Sequence, residues 1–550
     1  MSDLHMSRRE LVATGVGGGF LLALPARSWA QVAVPTSPIE TRHGRVRGSQ
    51  VGGVSRFLGI PYGQDTRGTR FQPSIPPASW GGVRECTSYG LRAPQSVTGA
   101  ARALDGANPE YLRFLGTLFG GSTGKPESDE GEDCLVLNVW TPDASSRRKR
   151  PVMFYLHGGG FTMGSGGAEM FDGSALVRRG DVVVVTINHR VSAMGYLYLG
   201  DFHADFADSG NVGQLDIIDA LKWVRDNIEA FGGDPQNVTI FGESGGGFKV
   251  GALLGTPSAR GLFHKAIQES GAGVTMVDRD VAVGVAERTL ASLGIAKADV
   301  RKLQSMDPKT ITAAAVAAQG RGGSGDVGKK LGLGPVVDGR TLPAHPFEPQ
   351  ANPFSEHVPV LIGSNKDEQT LFLAADPKFG KYTVEEAREH FAVVGERADA
   401  AFELYRGLTP NDPPSYWVSS LLTDIGMRGN SIREAERKAA QNAAPVFMYR
   451  LDWETPIMGG MLRAPHGLDT PLVFDNPETS LALLGNGPDP KELATRMSQA
   501  WVNFARTGDP SQPGLVWPRY ELADRRTMIF DIPSHVVSDP DGARRTFWSV

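Results

Sequence analysis

From Ile39 to Phe57 apolar and polar residues alternate, and Gly44, Gly48 and Gly52-Gly53 interrupt the alternation. A period of two with glycine breaks predicts short antiparallel strands joined by hairpins. Four later runs are denser in apolar residues: Leu135 to Trp140, Pro151 to Leu156, Asp181 to Ile187, and Asn237 to Phe241. The third of these, Asp-Val-Val-Val-Val-Thr-Ile, is almost wholly β-branched, as a strand covered on both faces requires. Between the last two, Leu215, Ile218, Leu221, Val224 and Ile228 recur at helical spacing within Leu215 to Phe231. Strand, helix, strand with buried β-branched runs predicts a parallel sheet with right-handed crossovers.

Helical periodicity dominates the second half, over Asp280 to Gln319 and Val384 to Ala443, with strand-like runs at Val358 to Ile362 and Val446 to Leu451. No charged or Pro/Ser-rich linker divides the chain, so residues 31–550 read as a single α/β domain with helical and loop insertions. One insertion, residues 96–132, is rich in Gly, Ser and acidic residues around the apolar cluster Tyr111, Leu112, Phe114, Leu115 and Leu118. It reads as a solvated surface loop with one helix; a lid is the sharper alternative.

Residues 1–30 carry a processing signal. Ser7-Arg8-Arg9-Glu10-Leu11 places paired arginines before an apolar run from Leu11 to Leu24, and Ser28-Trp29-Ala30 offers small residues for cleavage. This is a twin-arginine-type export pattern with the mature chain starting at Gln31, in the periplasm or outside the cell. The run is shorter than the roughly 20 residues of a membrane-spanning helix, so no stable anchor is expected after cleavage.

Composition narrows the field of partners. Of 550 residues 40% are apolar and 21% charged, ordinary values for a soluble domain. A net charge of −5 leaves no basic footprint for nucleic acid or an anionic membrane. Two cysteines, Cys86 and Cys134, lack the companions of a metal site, and an exported chain could pair them. The sequence does not indicate an oligomeric state.

The chemistry is carried by three motifs. Gly242-Glu243-Ser244-Gly245-Gly246 follows a predicted strand and precedes an apolar helical stretch. That is the setting of a nucleophile elbow, a turn so sharp that glycines must flank the serine. His157-Gly158-Gly159-Gly160-Phe161 follows the strand ending at Leu156. Successive glycines let backbone N–H groups turn toward a developing oxyanion, and the N–H of Gly245 completes the set. His157 itself reads as structural. Downstream, a base should follow an acid. His466, in a Gly/Pro-containing loop after a strand, is the best placed histidine, and either Asp367 or Glu368 could orient it.

Taken together, these residues resemble the type-B carboxylesterase family, which includes cholinesterases and many bacterial esterases. The likeness covers nearly all of the mature chain. It runs from Phe57-Leu58-Gly59-Ile60-Pro61-Tyr62 and Arg70-Phe71-Gln72-Pro73 through Glu132-Asp133-Cys134-Leu135 and Asn227 to Ser244, ending at Phe504-Ala505-Arg506-Thr507-Gly508-Asp509-Pro510 and Trp517-Pro518. The resemblance implies the α/β-hydrolase fold, Glu368 rather than Asp367 as the acid, His466 as the base, and Gly159, Gly160 and Gly245 as oxyanion donors. It implies no metal or cofactor, and a small-molecule ester as substrate. Glu243 and Ser270 match supporting positions near the triad. The family's first disulfide would join Cys134 to position 93, which is Ala93 here, so a Cys86–Cys134 bond would need rearrangement. Gly245, where the family often has Ala, and Phe248-Lys249 after the elbow are further departures. Two rivals remain: a non-catalytic binding or adhesion protein on this fold, and a hydrolase of amide, carbamate or lactone bonds.

Overall fold

Twelve strands hydrogen-bond into one sheet in the computed structural model, which describes residues 33–95, 108–120, 128–144, 148–319 and 332–549. The expected export signal and mature start at Gln31 lie outside the described residues. The strands are β1 (Val34–Pro35), β2 (Ser49–Val51), β3 (Val54–Pro61), β4 (Val136–Thr141), β5 (Arg150–Leu156), β6 (Val183–Ile187), β7 (Gly233–Glu243), β8 (Lys265–Glu269), β9 (Val360–Asn365), β10 (Val446–Leu451), β11 (Arg526–Phe530) and β12 (His535–Ser538). Their spatial order is β1-β2-β3-β4-β6-β5-β7-β8-β9-β10-β11-β12. From β6 through β11 every neighbouring pair is parallel, and the flanking strands are antiparallel.

The predicted hairpins form: Ile39–Thr41 pairs with Gly44–Arg47, and β2 pairs with β3. The all-apolar strands have the reason anticipated. Val183 and Val185 enter one core with Phe154 and Ile240, while Val184 enters another with Tyr155 and Phe241 on the opposite face. Helices cover both faces. Among them are α1 (Pro109–Gly120), α2 (Val212–Asn227), α3 (Gly245–Leu254), α4 (Gly429–Ala440) and α5 (Asp489–Thr507). The crossover α2 packs Ile217, Leu221 and Val224 into the first core, and α5 packs Trp501 and Phe504 into the second. Each such side chain contributes roughly 1.5–3 kcal/mol by leaving water. No helix among the described residues is long and apolar enough to cross a membrane.

Register brings the chemistry to one edge. Leu156 pairs with Gly242, Glu243 with Glu269, and Glu269 with Gly363, so the C-terminal ends of β5, β7, β8 and β9 align. That edge of an α/β sheet is where ligands bind.

One buried ion pair ties α2 to the sheet. Asp216 accepts from Arg190 Nε at 2.8 Å and Nη2 at 2.6 Å, and both side chains are buried. Asp216→Ala would leave the guanidinium buried without its counter-charge. The expected cost is about 3–5 kcal/mol, read as a lower guanidinium midpoint. A loss below ~1 kcal/mol would mean that water reaches Arg190 and treats it as a surface group.

The expectation of a Cys86–Cys134 disulfide is corrected: both cysteines are free, buried thiols. Cys86 donates its N–H to Arg47 and accepts from Leu58 N, whereas Leu135, beside Cys134, accepts from Tyr62 N. Leu58 and Tyr62 are four residues apart along an extended segment, roughly 13 Å. A disulfide spans less than about 7 Å between Cα atoms. Burial pushes the Cys86 thiol up to about 12 and that of Cys134 up as well, so neither carries thiolate at neutral pH.

Candidate active site

Ser244 sits between β7 and α3 with φ 56° and ψ −121°, a backbone region that costs an L-residue about 1–3 kcal/mol. The surrounding chain holds it there. Ser244 N–H donates to Glu269 O at 2.8 Å, and Ser244 O accepts from Phe248 N at 3.1 Å. The flanking glycines are forced by contact: a Cβ at 242 would lie 2.6 Å from Gly246 C, and one at 246 would lie 2.0 Å from Leu156 O. The elbow is therefore as tight as the motif predicted.

The His157–Phe161 loop leaves the end of β5 and wraps over the start of α3. Gly159 and Gly160 take φ 81° and 61°, conformations that glycine adopts without strain. Among the described residues their N–H groups donate to no protein acceptor. Gly245 is the first residue of α3, where an N–H has no intrahelical partner. A Cβ at 245 would lie 2.1 Å from Gly160 O. The loop thus occupies the space an alanine methyl would take, with the Gly160 backbone packed directly on Gly245. His157 is buried and stays neutral: burial first, then the Lys249 ammonium, push it well below the usual histidine range. Its structural reading holds.

His466 and Glu368 form the other half of the site. His466 Nδ1 lies 2.6 Å from Glu368 Oε2, and both side chains are buried. Glu368 Oε1 accepts the N–H of Asn365 at 2.7 Å, which fixes the carboxylate. Asp367, the other candidate acid, is turned elsewhere. Its N–H donates to Ala464 O at 3.0 Å. Its carboxyl is raised by burial and feels the opposing charges of Lys366, Arg463 and Arg428 rather than His466.

His466 Nε2 lies 3.3 Å from Glu243 Oε1. Burial opposes charge on the ring, but Glu243, Glu368 and Asp469 outweigh it and push the imidazole up to about 9. Glu243 is itself pushed up to about 8 by burial, against the pull of His466. The two groups compete for one proton. The Ser244 hydroxyl makes no hydrogen bond among the described residues. Ser270, with φ 52° and a buried hydroxyl that has no partner among the described residues, follows Glu269, whose carbonyl accepts the Ser244 N–H.

Ser244, His466, Gly159 and Gly160 line one cavity of about 200 Å³. Its remaining wall is mostly apolar, with Leu118 and Phe119 from α1, then Met163, Phe171 and Phe372. The helix predicted within residues 96–132 thus forms one side of the site. Tyr111 anchors it by donating to Leu371 O at 2.6 Å. Residues 96–107 and 121–127 of that insertion lie outside the described residues.

The sequence profile of the carboxylesterase family matches residues 35–548. The chain belongs to that family. It is 35% identical over 510 residues to the para-nitrobenzyl esterase of Bacillus subtilis (strain 168), covering 92% of this chain and 97% of that one. It is 32% identical to the phenmedipham hydrolase of Pseudarthrobacter oxydans, covering 90% and 95%. Among solved structures, carboxylesterase EST55 of Geobacillus stearothermophilus matches with a TM-score of 0.79 and 38% identity, covering 93% of this chain and 100% of that one. The protein is a carboxylic ester hydrolase of the α/β-hydrolase fold.

Three features of this carboxylesterase escaped sequence reasoning. Asn365 holds Glu368 through its backbone N–H and ties the histidine loop through its side chain, which donates to Pro465 O at 2.8 Å, contacts that spacing alone did not show. Asp469, three residues after His466, accepts from Tyr449 OH at 2.8 Å and is raised to about 6 by burial and by Glu368. The spacing His-x-x-Asp was visible, but nothing distinguished it from a loop carboxylate. His189 stands edge-on to His157, with ring centroids 4.7 Å apart, and no motif contains it.

Proposed function

We propose that this carboxylesterase cleaves esters through Ser244, His466 and Glu368, with the N–H groups of Gly159, Gly160 and Gly245 receiving the oxyanion. The observation that carries the reading is the buried 2.6 Å pair of His466 and Glu368, whose histidine lines the same cavity as Ser244. Glu368 accepts from Nδ1, which leaves the Nε2 lone pair of a neutral His466 for the serine proton. In the free protein Nε2 neighbours Glu243. Substrate binding replaces that neighbour with the serine hydroxyl, as catalytic hydrogen bonds tighten in the complex.

Ser244 Oγ then attacks the ester carbonyl while His466 takes its proton, and the oxyanion rests on the three backbone donors. Collapse breaks the bond to the alcohol, which leaves with the proton from His466. Water deacylates the serine by the same route. No step calls for a metal or cofactor. The apolar wall of Leu118, Phe119, Met163, Phe171 and Phe372 favours an apolar acyl or alcohol group on the ester. The paired-arginine pattern at the amino terminus supports work outside the cytoplasm, in the periplasm or the medium. Retention of the serine and base in one cavity, with the acid buried behind the base, weighs against a purely binding role.

A p-nitrophenyl alkylphosphonate is the direct test. One equivalent should inactivate the enzyme, release one equivalent of p-nitrophenol and place its phosphonyl group on the peptide containing Ser244. A folded protein left unlabelled there would overturn the assignment.

A further inference from the structure

Lys249 is wholly buried on α3, the helix that Ser244 directly precedes, a little over one turn beyond the serine. Burying an ammonium is costly unless partners offset it, and packing alone would be served by an aliphatic side chain. Its Nζ donates to the carbonyl of His157 at 2.8 Å. That carbonyl is the point where β5 hands over to the oxyanion loop. The last register pair between β5 and β7 is Leu156 with Gly242, so the ladder ends one residue earlier. Two residues on come Gly159 and Gly160, whose N–H groups donate to no protein acceptor among the described residues. The remaining neighbours of Lys249 are few. The Phe161 ring centroid lies 5.8 Å from Nζ, Glu243 opposes its charge from β7, and neutral His157 and His189 face it from the ends of β5 and β6. Gln214 of α2 donates to its backbone carbonyl at 3.1 Å.

We propose that Lys249 is a positioning residue for ester hydrolysis: its bond to His157 O pins the oxyanion loop to the helix that carries the nucleophile. The donors at Gly159 and Gly160 and the serine belong to different segments, and the lysine is a direct side-chain tie between them. Its effect therefore falls on the state in which both act on the same carbonyl, the tetrahedral one, and hardly on the bound ester. Burial pulls Lys249 down to about 7, with Glu243 opposing. Either protonation state retains an N–H for the tie.

This rests on the serine-esterase reading, and the test separates the two. Lys249→Met removes the donor and keeps the bulk; Lys249→Gln keeps an N–H on a shorter stem. Each variant and the wild type are first titrated with the phosphonate to count reactive Ser244. A displacement near 1 Å in a catalytic array costs about a hundredfold. Accordingly kcat for a p-nitrophenyl ester should fall about ten- to a hundredfold in Lys249→Met, with KM within about twofold. The Ki of a trifluoromethyl ketone, which mimics the oxyanion, should rise by the same factor as kcat/KM falls. Lys249→Gln should recover part of both. Wild-type kcat and ketone affinity in a folded Lys249→Met protein would overturn the proposal, as would a change confined to KM. If the Met variant does not fold, Lys249→Gln decides: a smaller loss shared by kcat and ketone affinity supports the tie, and unchanged kinetics refutes it. Failure of the wild type to react with the phosphonate would instead sink the serine-esterase reading.

Discussion

Ser244→Ala is expected to lower kcat for p-nitrophenyl esters by roughly a millionfold, about 8 kcal/mol of transition-state stabilisation. His466→Ala should cost nearly as much, and the double variant no more than either alone. The three-centre array works as a unit: without the hydroxyl the base has no proton to take, and without the base the hydroxyl is a weak nucleophile. What survives is the contribution of the oxyanion donors and the cavity, on the order of 10³ to 10⁴ over water. The fold should not suffer. The Ser244 hydroxyl makes no hydrogen bond among the described residues, so alanine strands no polar partner, and the strained backbone is held by the bonds to Glu269 and Phe248. Unchanged thermal unfolding beside lost turnover is the expected pair of results. Losses that add in the double variant would show that serine and histidine act independently, contrary to the proposed triad.

Much of this was legible in the chain itself, for identifiable reasons. A strand buried on both faces has to be apolar throughout, so Val183–Ile187 announced a covered parallel sheet before any pairing was known. Gly242 and Gly246 announced the elbow because no other side chain fits against Leu156 and the helix. The choice between Asp367 and Glu368 was a different problem. Neighbouring residues differ in direction rather than in spacing; direction is set locally by the Asn365 N–H, three residues before Glu368, and by the loop of Ala464 and His466, whose bond to Glu368 spans 98 residues. Resemblance to the family supplied Glu368, and the geometry pairs that residue with His466. The cysteines show the converse. Two cysteines behind an export-type amino-terminal pattern invite the expectation of a pair, but where they lie in the sheet is a matter of register, which composition does not encode. Lys249 stood out in the sequence only as an oddity; its meaning depends on where β5 ends.

Glu368→Gln is expected to reduce kcat about ten-thousandfold while leaving the fold intact, and the structure gives the reason for so large an effect from one atom. Asn365 N–H points at Oε1 at 2.7 Å, so the amide oxygen of the substituted side chain must take that position. Its NH₂ group then faces His466 Nδ1. An amide N–H can only donate there, which moves the ring proton to Nε2 and points it at the serine. In that tautomer the imidazole cannot accept the serine proton. A second signature follows from charge. Glu368 is one of the carboxylates that raise His466 to about 9 against burial. Neutral His466 is the active form, so activity is lost as pH falls through its pKa. Removing the Glu368 charge lowers that pKa, and the acidic limb of kcat/KM should move to lower pH even as the plateau collapses. Glu243 and Asp469 remain, so the limb shifts without vanishing. The full pH profile of the variant separates the causes: a lower plateau with an unmoved limb would mean that Glu368 orients the ring without setting its charge. A moved limb with a near-normal plateau would mean that the Nδ1 contact does not choose the tautomer, and the triad assignment of Glu368 would fail.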